Sequence, residues 1–231
     1  MTELPNLIPT KTKVQTFGDV AYHFGADPAP VLTVDVTRTA VYFEHHNLLW
    51  KHPAVTVTVR PPTGGYKPVI AGAQVYIAEA RGPGMIAFSG DGFGRVVPVH
   101  MQLGRQMEVR GHQFLAATES VEYTPMPQKG PPDLLLGGHT FTIDRFESTH
   151  GDGVLWIYAY GQVFEKTLAD GESIDIEPHA WLYKDTSMPM EPIVQRFTTG
   201  AFNGHASMVV NRFTGPGRVA VQSISRHRHD S

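Results

Sequence analysis

GPGMIAFSGDGFGRVVPVHMQLGRQMEVRGHQFLAATESVE, residues Gly82 to Glu122, decides the fold class, because its parts return on both sides of it at nearly constant spacing. Three segments align: AVYFEHHNLLW (Ala40 to Trp50), QMEVRGHQFLA (Gln106 to Ala116) and SIDIEPHAWLY (Ser173 to Tyr183). Each reads as an alternating run, a tight turn, a histidine, one variable residue and a second hydrophobic run. His46, His112 and His179 are separated by 66 (112 − 46) and 67 (179 − 112) positions, a regularity that marks triplication. Gly72, Gly138 and Gly204 keep the period. A glycine pair before a strand recurs as GPGMIAF (Gly82 to Phe88), GDGVLWI (Gly151 to Ile157) and GPGRVAV (Gly215 to Val221).

Short alternating or β-branched runs between turn residues predict strands throughout. They are VLTVDV (Val31 to Val36), VTVTV (Val55 to Val59), QVYIA (Gln74 to Ala78), RVVPV (Arg95 to Val99), FLAA (Phe114 to Ala117), FTI (Phe141 to Ile143), VLWIYAY (Val154 to Tyr160) and SMVV (Ser207 to Val210), with those inside the repeats. Proline-rich breaks fall at RPPTGGYKP (Arg60 to Pro68), TPMPQKGPPD (Thr124 to Asp133) and MPMEP (Met188 to Pro192). No window holds an apolar pattern at helical period behind a cap. One short helical turn is expected around Pro192 to Phe197.

The expected architecture is a single all-β domain over residues 1–231, a closed β-sandwich or β-prism of three related units with pseudo-threefold symmetry and little helix. Approximate units are 17–60 with 193–224, 69–124 and 134–190. The third Gly-x-Gly copy has no histidine segment after it, so the C-terminal strands SMVV and RVAV are expected to complete the first unit and remove a free sheet edge.

Composition narrows the function classes. Hydrophobic residues at 41% and charged residues at 18% describe a folding globular chain. A net charge of −3 gives no electrostatic case for DNA or an anionic membrane, and RNA is not expected. Zero cysteines exclude disulfides, thiolate metal sites and a cysteine nucleophile. The start, MTELPNLIPTKTKVQ, lacks a signal-peptide core and no apolar run is long enough to span a bilayer, so a cytoplasmic location is expected.

Candidate chemistry is sparse. His46, His112 and His179 would converge on a metal if a pseudo-threefold axis passed near them. The competing reading places each at an equivalent turn, and no carboxylate shared by all three copies stands ready to orient the rings. His227 and His229 form an HxH in a polar tail, where metal binding would be adventitious. No G-x-S-x-G elbow occurs, and no local signature assembles a Ser–His–Asp set. Asp91, Asp152 and Asp170 lie beside glycines as turn residues do. Trp156, Tyr158, Tyr160, Trp181 and Tyr183 alternate within strands and are expected to pack in the core or between sheets. No catalytic, cofactor-binding or metal residue and no cofactor is assigned. The turn SGDGFG (Ser89 to Gly94) is peculiar to the middle of the chain and is the first place to look for a function the other copies lack.

With these motifs in hand, the stretches from Gly82, from Gly151 through AWLY and through FTGPGRVAVQS together resemble the altered inheritance of mitochondria protein twenty-four family, roughly over Gln74 to Ser223. The resemblance is to bacterial members. It implies an all-β, internally repeated protein similar in fold to the trp RNA-binding attenuation protein, a ring-forming unit, with no established enzymatic activity and no catalytic residues to transfer. Mitochondrial relatives are linked to inner-membrane organisation, yet nothing here resembles a transit peptide. SGDGFGRV (Ser89 to Val96) and the tail SRHRHDS depart from the commoner pattern. The leading functional expectation is a non-enzymatic scaffold or interaction protein, oligomeric or bound to a protein partner. A ligand- or RNA-binding module of the attenuation-protein type and a metal-dependent enzyme using the repeated histidines are the alternatives.

Overall fold

The computed structural model describes residues 14–25, 29–60, 69–70, 73–74, 77–126, 143–199 and 204–225. Its strands in the first third of the chain are β1 (Gln15–Phe17), β2 (Val20–Phe24), β3 (Val31–Asp35), β4 (Val41–Glu44), β5 (Leu48–Lys51), β6 (Thr56–Val59), β7 (Val69–Ile70), β8 (Ala73–Gln74), β9 (Ile77–Arg81) and β10 (Met85–Ser89). The middle carries β11 (Gly94–Met101), β12 (Gln106–Arg110), β13 (Phe114–Thr118), β14 (Val121–Met126), β15 (Ile143–Ser148) and β16 (Gly153–Tyr160). The last third carries β17 (Val163–Leu168), β18 (Ser173–Ile176), β19 (Trp181–Asp185), β20 (Met190–Thr199), β21 (Gly204–Thr214) and β22 (Gly217–Gln222). Among the described residues the helical content is one 3-10 turn, His45–Asn47. The chain is all-β, as the alternation and turn chemistry imply.

The sheets show what the repeat builds. One runs β11-β16-β13-β4-β9-β6, and a second, read in the same sense, runs β17-β22-β19-β12-β15-β14. Every position in one has its sequence equivalent in the other, one unit later. The third equivalent would run β3-β10-β5-β18-β21-β20. It is present as two pieces, β1-β2-β3-β10-β5 and β18-β21-β20. Each full sheet thus joins the outer half of one unit to the inner half of the unit before, through the antiparallel ladders β13 to β4 and β19 to β12.

This pairing corrects the expected closure. GPGRVAV is the last strand of the third unit itself, since β22 pairs with β19 and β17, and β21 pairs with β18 and β20. Among the described residues neither pairs with a strand of the first unit, and no sheet closes into a barrel. The phase error has a simple source: each Gly-x-Gly strand folds back on the histidine segment that precedes it, β10 on β5, β16 on β13 and β22 on β19. No copy lacks its partner once each unit is taken to end on its Gly-x-Gly strand, as β3 to β10, β11 to β16 and β17 to β22.

The core follows the same logic. In β16 every residue is buried. Val154, Trp156, Tyr158 and Tyr160 enter one cluster with Leu32, Val34, Phe43 and Phe88, while Leu155, Ile157 and Ala159 enter a second with Met107, Val109 and Phe146. A strand covered on both faces has no solvent side to mark, so VLWIYAY is apolar without interruption. A third cluster holds Leu168, Ile176, Trp181, Met188, Phe213 and Val219. Successive sheets therefore share a core. Burying side chains of this size stabilises by roughly 1.5–3 kcal/mol each.

Two local expectations change. The turn expected at Pro192 to Phe197 is part of β20, which pairs along its length with β21. Pro192 is tolerated because β20 is the edge of its sheet, where a missing N–H interrupts no ladder on the open side. Of MPMEP, Met188 and Pro189 lie in the turn between β19 and β20, while Met190 to Pro192 open β20. Of the other proline-rich segments, Arg60 and Thr124 to Met126 are described, the latter within β14; the remainder lies outside the described residues, as do Gly72, Gly138, Phe141 and Thr142.

The glycine pairs earn their place by close approach. A Cβ on Gly82 would meet the Val36 carbonyl oxygen, and one on Gly215 would meet that of Ala169. The second glycines pack on equivalent neighbours, Gly84 on His52 and Gly153 on Thr118 and Ser120.

Candidate functional site

The three repeated histidines occupy equivalent places in sequence but not equivalent environments. His46 lies in the 3-10 turn after β4, its Nε2 3.4 Å from Glu44 Oε2. His112 sits exposed between β12 and β13 at φ 65, a left-handed conformation that histidine tolerates better than bulky residues do. His179 is buried, with its Nδ1 2.7 Å from Glu177 Oε1. Among the described residues no three His, Asp or Glu side chains gather where a metal could bind, so the imagined convergence does not occur. Glu44 and Glu177, two positions upstream, contact the rings in two copies, and as expected no carboxylate is shared by all three. In the middle copy that position is Arg110, whose guanidinium donates to the His179 carbonyl and so ties the second unit to the third. Asn47 Nδ2 donates to the Phe114 carbonyl at 3.1 Å and ties the first unit to the second.

A buried carboxyl pair, which no motif signals, lies where β4 approaches β14 and β15. Glu44 and Asp144 are about 100 positions apart in sequence and both are buried. Burial, with the Asp144 charge adding to it, pushes Glu44 up to about 8. Burial likewise pushes Asp144 up to about 7, against the hydrogen bond from Tyr123 Oη at 2.9 Å. Burial also raises the Tyr42 and Tyr123 hydroxyls. The Arg60 guanidinium stands 4.1 Å from the centre of the Tyr42 ring, a cation–π contact. These carboxyls can hold protons near neutral pH, which is how buried acids avoid an unpaired charge. Their only available sequence signal is a polar residue in an otherwise apolar run, Glu44 after VYF.

A polar cleft of about 590 Å³ is lined by residues that include Phe17, Asp19, Thr118, Ser120, His150 and Asp152. Serine, histidine and aspartate therefore meet here, but their hydrogen bonds do not form a relay. Ser120 Oγ donates to the Asp152 carbonyl oxygen at 3.1 Å, Asp152 Oδ1 accepts from the Leu103 N–H at 3.0 Å, and His150 Nδ1 lies 2.7 Å from Thr149 Oγ1. Asp152 is thus a turn residue, as expected.

The SGDGFG turn is organised from below. Tyr158 Oη donates to the Gly92 carbonyl at 2.7 Å and Tyr160 Oη donates to Asp91 Oδ1. A Cβ at Gly90 or Gly94 would strike the Tyr158 ring. Its glycines make room for an aromatic lid support, and Phe93 projects at the tip, 73% exposed. Asp170 is exposed in the turn before β18. Trp156 and Trp181 are fully buried and Tyr183 nearly so, all in core clusters. His227 and His229 lie outside the described residues.

Charged residues concentrate at the inter-unit ladder. Opposite β12, Lys184 Nζ is 2.7 Å from Glu108 Oε2, while Arg145 Nη2 is 2.6 Å from Glu108 Oε1. Burial pushes Glu108 upward, but the hydrogen bonds from Arg145 and Lys184 outweigh it and hold the carboxyl below its ordinary range. The sister pair on β18 and β21 is Asp175 with Arg212, joined by two bonds of 2.7 and 2.8 Å.

Comparison with known proteins places this architecture. The family described as mitochondrial biogenesis AIM24 matches residues 22–224. A crystal structure of a Streptococcus pyogenes protein shares the fold with TM-score 0.64 and 20% identity, over 94% of each chain. No curated protein matches the sequence. Among the described residues no helix is long and apolar enough to cross a membrane.

Proposed function

This chain belongs to the AIM24 family, and we propose from that premise that it is a non-enzymatic scaffold that works by holding other proteins at its surface. The observation that carries the reading is where large apolar side chains lie. The sheets share filled cores with both faces of β16 buried, yet Phe93, Val59 and Phe164 stand 73%, 66% and 61% exposed, Phe93 in a turn and the other two on the sheet-edge strands β6 and β17. Scattered exposed apolar residues are ordinary; at sheet edges and turn tips they supply the contacts that strand addition and surface docking use.

The test is capture by the full chain. Immobilised protein exposed to an extract of its source cells should retain a protein at fixed stoichiometry, and Phe93→Asp, Val59→Asp or Phe164→Asp should release it. Retention of nothing, or retention indifferent to all three substitutions, overturns the reading.

A further inference from the structure

We propose that strand β18 of one copy of this protein docks beside strand β5 of a second copy, forming the inter-unit ladder that the chain makes twice internally and leaves unmade a third time. This deepens the scaffold reading and rests on it. Two ladders join successive units: Ala116, Ala117 and Thr118 face Phe43, Tyr42 and Val41, and Tyr183, Lys184 and Asp185 face Val109, Glu108 and Met107. The third, by the same register, sets Trp50, Lys51 and His52 against Ile176, Asp175 and Ile174. Among the described residues β5 ends its sheet, β18 ends another, and no backbone hydrogen bond joins them.

Three observations fit a seam awaiting its other half. Leu49 is 54% exposed, whereas its equivalents Leu115 and Leu182 are wholly buried under the neighbouring unit. Lys51 and Asp175 are exposed, whereas their equivalents Lys184 and Glu108 are buried as an ion pair. Asp175 already holds Arg212 as Glu108 holds Arg145, so Lys51 arriving from a second copy completes the same three-charge arrangement. Charge, register and the uncovered leucine all specify this strand as occupant. The contact is heterologous: each copy offers β18 forward and keeps β5 for the next, so assembly propagates as a ring or a filament according to the rotation at each step. A bare edge of this kind is otherwise an aggregation site.

Light scattering of purified full-length protein across a concentration series tests it. The expected mass is a multiple of 25.4 kDa. Lys51→Glu should weaken association at least about tenfold by setting like charges opposite each other, and Lys51→Glu with Asp175→Lys should restore it. Because the chain has no cysteine, Lys51→Cys mixed with Asp175→Cys should give an oxidised two-chain product, and the doubly substituted chain a ladder of products. A 25.4 kDa species at every concentration, assembly indifferent to Lys51→Glu, or a doubly substituted chain that only closes its disulfide within itself overturns the proposal. Such a result leaves the scaffold reading standing, since capture of another protein is measured separately.

Discussion

Lys184 Nζ lies 2.7 Å from Glu108 Oε2 across the ladder that joins β19 of the third unit to β12 of the second, with both side chains almost wholly buried. The amino group also donates to the Met188 carbonyl at 2.8 Å, and Arg145 occupies the other carboxylate oxygen. Every polar atom of the pair has a partner, which is the condition under which a buried ion pair is tolerated.

Removing one member should therefore be far worse than removing both. Glu108→Gln leaves Lys184 as an uncompensated buried charge and should cost about 3–5 kcal/mol, while Glu108→Leu with Lys184→Met should cost less. Urea unfolding of the three proteins checks this; a double substitution as damaging as the single one would contradict it.

Equivalent leucines should report unequal burial. Leu115→Ala opens a cavity in the shared core and should cost about 2–5 kcal/mol, whereas Leu49→Ala at an exposed site should change monomer stability by about 0.5 kcal/mol or less. Thermal melts at low protein concentration, where any association is minimal, provide the comparison. Equal losses would mean Leu49 is covered even in the single chain.

The glycine pairs should separate steric cost from backbone cost. Gly82→Ala and Gly215→Ala drive a Cβ against a carbonyl oxygen of fixed backbone, and each should cost more than about 2 kcal/mol. Gly104 has φ +80 with open space around it, so Gly104→Ala should lose only the left-handed penalty of about 1–2 kcal/mol. Matching losses at Gly82 and Gly215 would confirm that the two copies do the same job. A Gly82→Ala protein as stable as the Gly104→Ala one would show that the strand shifts to accept the methyl.

Glu44 and Asp144 should make the fold weaken with rising pH. Their carboxyls ordinarily titrate at 4.5 and 3.8 and are raised in the fold to about 8 and about 7. Well below about pH 4 both states are protonated and the pair carries no penalty. Between that point and about pH 8 the folded chain holds protons the unfolded chain has released, so stability falls as pH rises, and above it the loss is complete. Tyr42, Tyr123, Arg60, Glu122 and His46 surround the pair and remain unchanged in the test. Asp144→Asn and Glu44→Gln should gain melting temperature relative to the parent between pH 5 and pH 9. Parallel pH profiles for parent and variants would sink the account.

Much of the fold was legible because strands and turns are local. The alternation in VLTVDV and SIDIE, the Gly-x-Gly turns and the 66-residue period are written in neighbouring residues, and each became a strand, a turn or a repeated unit. Strands with polar or proline-bearing outer faces escaped notice: β17 reads VFEKTL with most of its residues exposed, and β14 reads VEYTPM. Their stability comes from the ladder beside them, which no short window displays.

The candidate sites were less legible. Ser120, His150 and Asp152 meet in a cleft only because β14 folds onto β15, and their hydrogen bonds run to Asp152, Leu103 and Thr149 backbone or side-chain atoms and not along a Ser–His–Asp chain. Glu44 and Asp144 become a pair only because the sheet that holds β4 meets the sheet that holds β15.

By itself the sequence determined an all-β chain of three units, since side-chain alternation, glycine turns and periodicity act over a few residues. Tertiary structure alone decided the phase of those units, the pairing of the described strands and, among the described residues, the separation of β5 from β18. The reason is that a backbone N–H donates equally well to any aligned carbonyl, so pairing is selected by which cores fill and which charges meet across the ladder, quantities that exist only after distant segments come together.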